Sequence, residues 1–209
     1  MLLRYITGRA GAGKSWQVYS EIHKALSLPI DKPLILLVPE QYTLQAERDL
    51  IQHLQVNGIM QVEVLSFTRL ANRVFSEVGG LTRVMLNEQG KNMILRRVIN
   101  QNIKSLTIYK QAARQNGFIT KCGQMISDLK QYDVDSNLLK EHPALAGGNR
   151  VLEQKIHDIA IIYDAFNQYL QGRYMDMEDY INLFIERLDH SVNLRGSRIW
   201  VDNFSTFSP

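Results

Sequence analysis

The chain has 209 residues, 45% hydrophobic and 22% charged, with a formal net charge of +3. That is the composition of a soluble globular protein with a sizeable core, and no apolar run is long enough to span a membrane. A single cysteine, Cys122, excludes an internal disulfide and any cysteine-built metal site.

The length fits one large domain, or one domain carrying an insertion. Met1-Leu2-Leu3-Arg4 leads straight into a predicted strand, Leu2 to Ile6, so no signal peptide is expected. Seven methionines and a lone thiol suit a reducing cytoplasm. Gly8-Arg9-Ala10-Gly11-Ala12-Gly13-Lys14-Ser15 follows and fits G-x-x-x-x-G-K-[ST], a loop whose backbone N–H groups curl around phosphates. In that reading Lys14 reaches the β- and γ-phosphates of ATP and the Ser15 hydroxyl ligates Mg²⁺. A Gly-rich turn is the alternative. Ser15 to Leu26 reads as a helix whose N-terminus faces the anion, with Trp16, Tyr19, Ile22, His23 and Leu26 inward.

Leu34 to Val38 is a continuous apolar run closed by Pro39, as in a strand buried on both faces. Thr43 is placed to cap a helix from Leu44 to about Val56, which Asn57-Gly58 breaks. Met60 to Leu65 is a third strand. Ser66 or Thr68 starts a helix ended by Gly79-Gly80. Strand and helix thus alternate three times, the pattern of a doubly wound parallel sheet that binds ligands at the carboxyl ends of its strands.

From Leu86 to about Asp189 only helices are expected. Asn87 caps one to about Ile103, with Met93, Ile94, Leu95 and Val98 inward. Thr120 caps another through Met125, Ile126 and Leu129 to Tyr132. The Ala146-Gly147-Gly148-Asn149 link precedes a long helix from Val151 to about Tyr169, whose apolar face runs from Leu152 to Leu170. Asp176 and Glu178 open a last one through Leu188. Strand character returns at Arg198 to Asp202. The expected organisation is a core over 1–85, a helical insertion over 86–194, and a return to the sheet over 195–209.

Charge is uneven. Ser66 to Lys121 holds ten Lys or Arg against two Glu, and Cys122 to His190 holds six against twelve acids. A polyanion surface on the basic part and plain solvated helix faces both fit that pattern. Asp202 ends an apolar strand, where a P-loop NTPase places the acid that holds Mg²⁺ through water; a simple turn residue is the alternative. The next residue is Asn203 instead of a glutamate, and it cannot take a proton from water, so hydrolysis is expected to be slow or absent. Phe67, Thr68, Arg69 and Arg73 could stack on a base and grip phosphates of a single strand, with Gln41 and Thr43 on the same edge; for Phe67, plain core is the alternative. His23, His53, His142, His157 and His190 have no metal-ligand spacing.

Four stretches carry a resemblance: the loop Gly8 to Ser15, Leu37-Val38-Pro39-Glu40-Gln41-Tyr42-Thr43, Val64-Leu65-Ser66-Phe67-Thr68-Arg69-Leu70-Ala71, and Ile199-Trp200-Val201-Asp202-Asn203-Phe204. Together, in this order, they are similar to the N-terminal part of the AddB family of bacterial helicase–nuclease subunits; Gly117-Phe118, Tyr132 and Glu178-Asp179-Tyr180 fit as well. The resemblance implies a RecA-like P-loop domain of the superfamily 1 helicase type, with Leu86 to about Leu194 as its helical insertion. It implies an AddA-type partner, ATP with Mg²⁺, and processing of double-strand DNA ends with response to a recombination hotspot. Its third stretch is similar to an element by which UvrD-type helicases contact single-stranded DNA. The family's nuclease domain and iron–sulfur cluster lie near its C-terminus, and their ligands are absent from these residues. The family's helicase domain is thought to scan sequence without being the motor, which Asn203 fits. Two other readings stand beside it: a domain that only docks on a partner, and a P-loop kinase with a helical lid.

Overall fold

Apolar residues fill Leu34 to Val38 without a break, and such a strand is stable only between two covering layers. In the computed structural model, which describes residues 3–29, 32–55, 61–141 and 147–206, the elements follow in order. They are α1 (Lys14–Leu26), β1 (Leu34–Leu37), α2 (Thr43–Leu54), β2 (Val62–Leu65), α3 (Phe67–Val78), β3 (Val84–Met85), α4 (Glu88–Asn102), α5 (Asn116–Gln131), α6 (Ser136–Glu141), α7 (Arg150–Leu170), β4 (Tyr174–Met175), α8 (Met177–Leu188) and β5 (Arg198–Val201). Leu2, Val56, the Asn57-Gly58 break, Met60, His142 and Ala146 lie outside the described residues.

The fold is mixed α/β, with a three-stranded parallel sheet in the order β2-β1-β5. Central β1 is buried at every position, β2 alternates, and outer β5 is largely exposed. Leu34, Leu36 and Val38 on one sheet face join Val18, Tyr19 and Ile22 of α1 and Ala46, Leu50 and Leu54 of α2 in one core. Trp16 and His23, expected inward, are exposed; Val18 and Ala25 take their places.

Among the described residues the expected N-terminal strand does not form. Residues 3–9 have no regular structure, Leu3 and Tyr5 are exposed, and only Ile6 packs on the core. A strand exists through its neighbour's hydrogen bonds, and among the described residues β5 pairs only with β1.

Two compact units result, Met1–Gly80 with Phe184–Phe207, and Leu81–Leu183. The second is helical except for β3 and β4, which pair in parallel over two residues; β4 falls where no strand was expected. Its core is Ile94, Leu95, Val98 and Ile99 of α4, Ile119, Cys122 and Ile126 of α5, and Ile159, Ile162, Tyr163 and Phe166 of α7. Met93, Met125 and Leu152 face outward instead, one helical step from the buried stripe. Asn87 caps α4 as expected, and Asn149, read from sequence only as part of the link, caps α7; each accepts from the first turn's N–H groups. Thr120 is no cap, because α5 starts one turn earlier at Asn116. Thr43 likewise begins α2 instead of capping it.

Buried charge in the helical unit is fully matched in two places. Asp158 is completely buried and accepts the backbone N–H groups of Thr107, Ile108 and Tyr109 at 2.8–3.0 Å. Lys130 lies 2.8 Å from both Asp176 and Asp179, the acids that open α8. Asp176 also caps that helix through the Asp179 N–H. Burial opposes the Lys130 ammonium, but the two carboxylates outweigh it and hold its pKa above the ordinary lysine range.

Removing one partner of a buried pair strands the other charge. Lys130→Met is expected to destabilise the fold by about 3–5 kcal/mol, read from urea unfolding. A raised lysine pKa contributes stability that is complete below the unfolded value of about 10.4 and is lost as the pH rises through the folded value. The wild-type-to-variant gap should therefore be flat through neutral pH and narrow in strong alkali, where Lys130 loses its proton. Burial pushes the Cys122 thiol up to about 12, so a thiol reagent at pH about 8 should label it only at the rate of unfolding.

Candidate functional site

Parallel pairing sets three strand ends level. Leu37 stands opposite Leu65 and Val201, and the ladder runs one residue further, with Val38 N–H donating to Leu65 O and Asp202 N–H to Leu37 O, both at 3.0 Å. Glu40, Ser66-Phe67 and Asp202-Asn203-Phe204 therefore emerge along one edge. Glu40, which the sequence offered only as one member of the Pro39-Glu40-Gln41-Tyr42-Thr43 stretch and gave no role of its own, ties two of these ends together. Its carboxylate accepts the Ser66 hydroxyl and pairs with Arg69 Nε at 3.4 Å. Ser66 Oγ in turn accepts the Arg69 N–H at 3.2 Å and caps α3. Phe67 packs on Phe204 with ring centroids 5.4 Å apart, joining the ends of β2 and β5.

In the segment before α1, Gly11 and Gly13 have φ of +77° and +81°, and Gly13 is the helix N-cap. No side chain caps α1, so its first N–H groups keep their donor capacity. A Cβ on Gly8 would meet Ala12 Cβ at 3.1 Å. The Lys14 ammonium folds back on the segment and donates to the carbonyls of Gly8 at 3.0 Å and Arg9 at 2.8 Å. The result is a curled loop with a cation drawn across it. One side-chain bond joins helix α1 to β5: Glu21 accepts the Trp200 indole N–H at 3.4 Å, and it also pairs with Arg4. Burial, then the charges of Asp49 and Asp202, push the Tyr19 hydroxyl up to about 12. Asp202 therefore acts on the helix that the loop begins.

Asp202 is half-buried, and its Oδ2 is buried without a hydrogen-bond partner. An orphaned carboxylate oxygen at a strand end fits a hydrated cation, the ligand proposed for it from sequence. Asn203 adopts φ of +63°, a left-handed conformation that Asn tolerates better than longer side chains. Ser15 is half-buried in the first turn of α1. Gln41, Phe67, Thr68 and Arg69 are exposed, Phe67 at 37%. Thr43 is buried and donates its hydroxyl to Glu40 O at 3.0 Å. Arg73 is half-buried and paired with Glu63.

A second overlooked acid sets the approach to β5. Glu77, at the end of α3, accepts from Ser191 Oγ at 2.6 Å and from the N–H groups of Val192 at 2.8 Å and Asn193 at 3.0 Å. The Ser191 hydrogen bond leads in lowering the Glu77 pKa below the usual glutamate range. A lowered carboxyl pKa means that this clamp holds at neutral pH and is lost as pH falls through the folded value. Glu77→Ala is expected to speed amide exchange at Val192 and Asn193 near pH 7, while acid alone should loosen the wild type in the same way. Gly13→Ala should cost about 1–2 kcal/mol in thermal unfolding, the usual penalty for a side chain at left-handed φ.

Comparison with known proteins gives a consistent result. The family model "ADDB, N-terminal" matches residues 5–209. The chain is 50% identical over all of its 209 residues to the B subunit of the ATP-dependent helicase/deoxyribonuclease of Alkaliphilus metalliredigens (strain QYMF). It is 48% identical over the same span to the corresponding protein of Alkaliphilus oremlandii (strain OhILAs), and 41% to that of Clostridium botulinum (strain Langeland / NCTC 10281 / Type F). In each case the chain spans 18% of the relative's length.

Proposed function

The chain belongs to the AddB N-terminal family, and from that premise we propose that it is the front part of a helicase–nuclease subunit that binds ATP–Mg²⁺ and single-stranded DNA. In this reading the first unit is a RecA-like P-loop domain and the helical stretch is its insertion. The whole protein works in the cytoplasm with an AddA-type subunit on double-strand DNA ends, and an iron–sulfur cluster belongs to its distant C-terminal part. This part serves recognition of a hotspot sequence and turns over little ATP.

The observation that carries the nucleotide assignment is the curled loop before an uncapped helix, with Lys14 held across it. Successive N–H groups in such a curl attract phosphate oxygens. Gly8 to Ser15 would hold the triphosphate, Lys14 would neutralise it, and Ser15 with Asp202 would hold Mg²⁺. When bound, Mg²⁺ would offset the phosphate charge. Asn203, with no carboxylate, takes no proton from water, which supports storage of the nucleotide over its hydrolysis.

Support for the single strand comes from the edge itself. Phe67 offers an exposed ring, with Gln41, Thr68 and Arg69 beside it. Arg69 and Arg73 are paired with Glu40 and Glu63 through ion pairs that are partly open to water. Exposed pairs of this kind are worth only about 0–1 kcal/mol, so a phosphate can take the carboxylate's place. Thr43 supports the edge from below, through Glu40.

Two measurements separate the parts of the proposal. By calorimetry, Lys14→Ala should weaken ATP–Mg²⁺ binding by about tenfold or more, the worth of a charge-assisted hydrogen bond. Equal affinity for wild type and variant would reduce the domain to a docking module, and transfer of phosphate to a small acceptor would point to a kinase. Arg69→Ala with Arg73→Ala should lower the salt dependence of single-strand binding by about 0.7 for each phosphate that is no longer neutralised.

A further inference from the structure

We propose that the helical unit carries a second nucleic-acid surface, separate from the strand edge, which takes the phosphate backbone of duplex DNA. Residues 89–127 contain seven Lys or Arg and no Asp or Glu. Lys91 is buried and bonded to Ser127. The other six, Arg96, Arg97, Lys104, Lys110, Arg114 and Lys121, are all exposed. None of the six forms an ion pair among the described residues.

The fold gathers them. On α4 the buried positions are Lys91, Ile94, Leu95, Val98 and Ile99, which leaves Arg96 and Arg97 on its solvent face with Asn100 and Gln101, and Lys104 is exposed in the turn that follows the helix. Helix α5 packs against α4: a Cβ on Gly123 would meet Leu95 at 3.1 Å, and Arg96 Nη2 donates to Asn116 Oδ1 at 2.6 Å. Lys121 lies on the exposed side of α5, and Lys110 and Arg114 sit in the connection between the two helices. That connection is pinned by the Asp158 carboxylate through Thr107, Ile108 and Tyr109, so its cations are carried on a fixed support. The guanidinium of Arg97 lies 5.5 Å from the Tyr169 ring centroid, which orders that side chain as well.

Six cations without an acid among them attract a polyanion, and the surrounding carboxamides are further phosphate donors. What chooses duplex over single strand is the lack of a stacking platform. Binding of single strands relies on exposed aromatic rings. The exposed large apolar residues of this stretch are Met93, Ile108 and Met125, whereas Tyr109 and Phe118 are half-buried against each other at 5.0 Å. A surface of cations and amides with no ring to offer reads backbone, and duplex DNA presents one charge per about 1.7 Å of axis.

The test compares the 209-residue chain with the triple variant Lys104→Gln, Lys110→Gln, Lys121→Gln, using fluorescence anisotropy with a blunt duplex and with a single strand of the same length. None of these three lysines makes a hydrogen bond or ion pair among the described residues, so the variant should unfold at the wild-type temperature. The duplex salt slope should fall by about 0.9 for each phosphate that is no longer neutralised, with little change for the single strand. An unchanged duplex slope overturns the proposal, as does an equal loss on both DNAs. The Arg69→Ala and Arg73→Ala pair provides the separation from the strand-edge reading. If that pair leaves single-strand binding intact while the triple variant loses duplex, the edge assignment fails and this surface stands.

Discussion

Burial of β1 on both faces is the constraint on which the first unit depends. Leu34 to Leu37 are covered on both sides at the centre of a parallel sheet, and parallel pairing on each flank brings three strand ends out on one side. Everything assigned to the edge follows from that register. Glu40, Ser66 and Asp202 come from residues far apart in sequence, yet they leave the sheet at one level. A slip of one residue in β5 would turn Asp202 to the other face. Glu77 guards against such a slip by holding the segment that enters the strand.

The two units use charge in opposite ways. In the first, carboxylates work as braces: Glu40 accepts the Ser66 hydroxyl, and Glu77 accepts the Ser191 hydroxyl with the N–H groups of Val192 and Asn193, and hydrogen bonds to a charged acceptor are worth more than an exposed ion pair. In the second, Asp176 and Asp179 are drawn to Lys130 and Asp158 to the 107–109 turn, and the stretch 89–127 carries exposed cations with no acid in it. The near-neutral total of the chain conceals this separation.

Much of the fold was legible because local signals and tertiary burial agree. The run Leu34 to Val38, the Ser66 and Asn87 caps and the Gly79 stop each carry their own physical cause. Failures came where the answer lay in another part of the chain. Leu2 to Ile6 looks like a strand, but a strand needs a partner, and the described residues supply none. Trp16, Met93, Met125 and Leu152 sit at the rim of their helical stripes, where spacing alone cannot decide exposure. A two-residue ladder at Tyr174–Met175 leaves no periodicity to read. Of the candidate site, the loop and Asp202 were visible as a motif and a strand end. Glu40 and Glu77 were not, since an acid that braces a segment 114 residues away from it, as Glu77 does for Ser191, has no local signature.

On the reading proposed above, the loop from Gly8 to Ser15 and the Asp202-Asn203 strand end hold ATP and turn over little of it. The direct measurement mixes the chain with a small excess of labelled ATP and Mg²⁺, isolates the bound nucleotide, and follows its chemical form over time. A saturable bound fraction, recovered mostly as intact ATP, is the predicted result. Rapid release of labelled phosphate from most of the bound nucleotide, or no bound fraction at all, would contradict it.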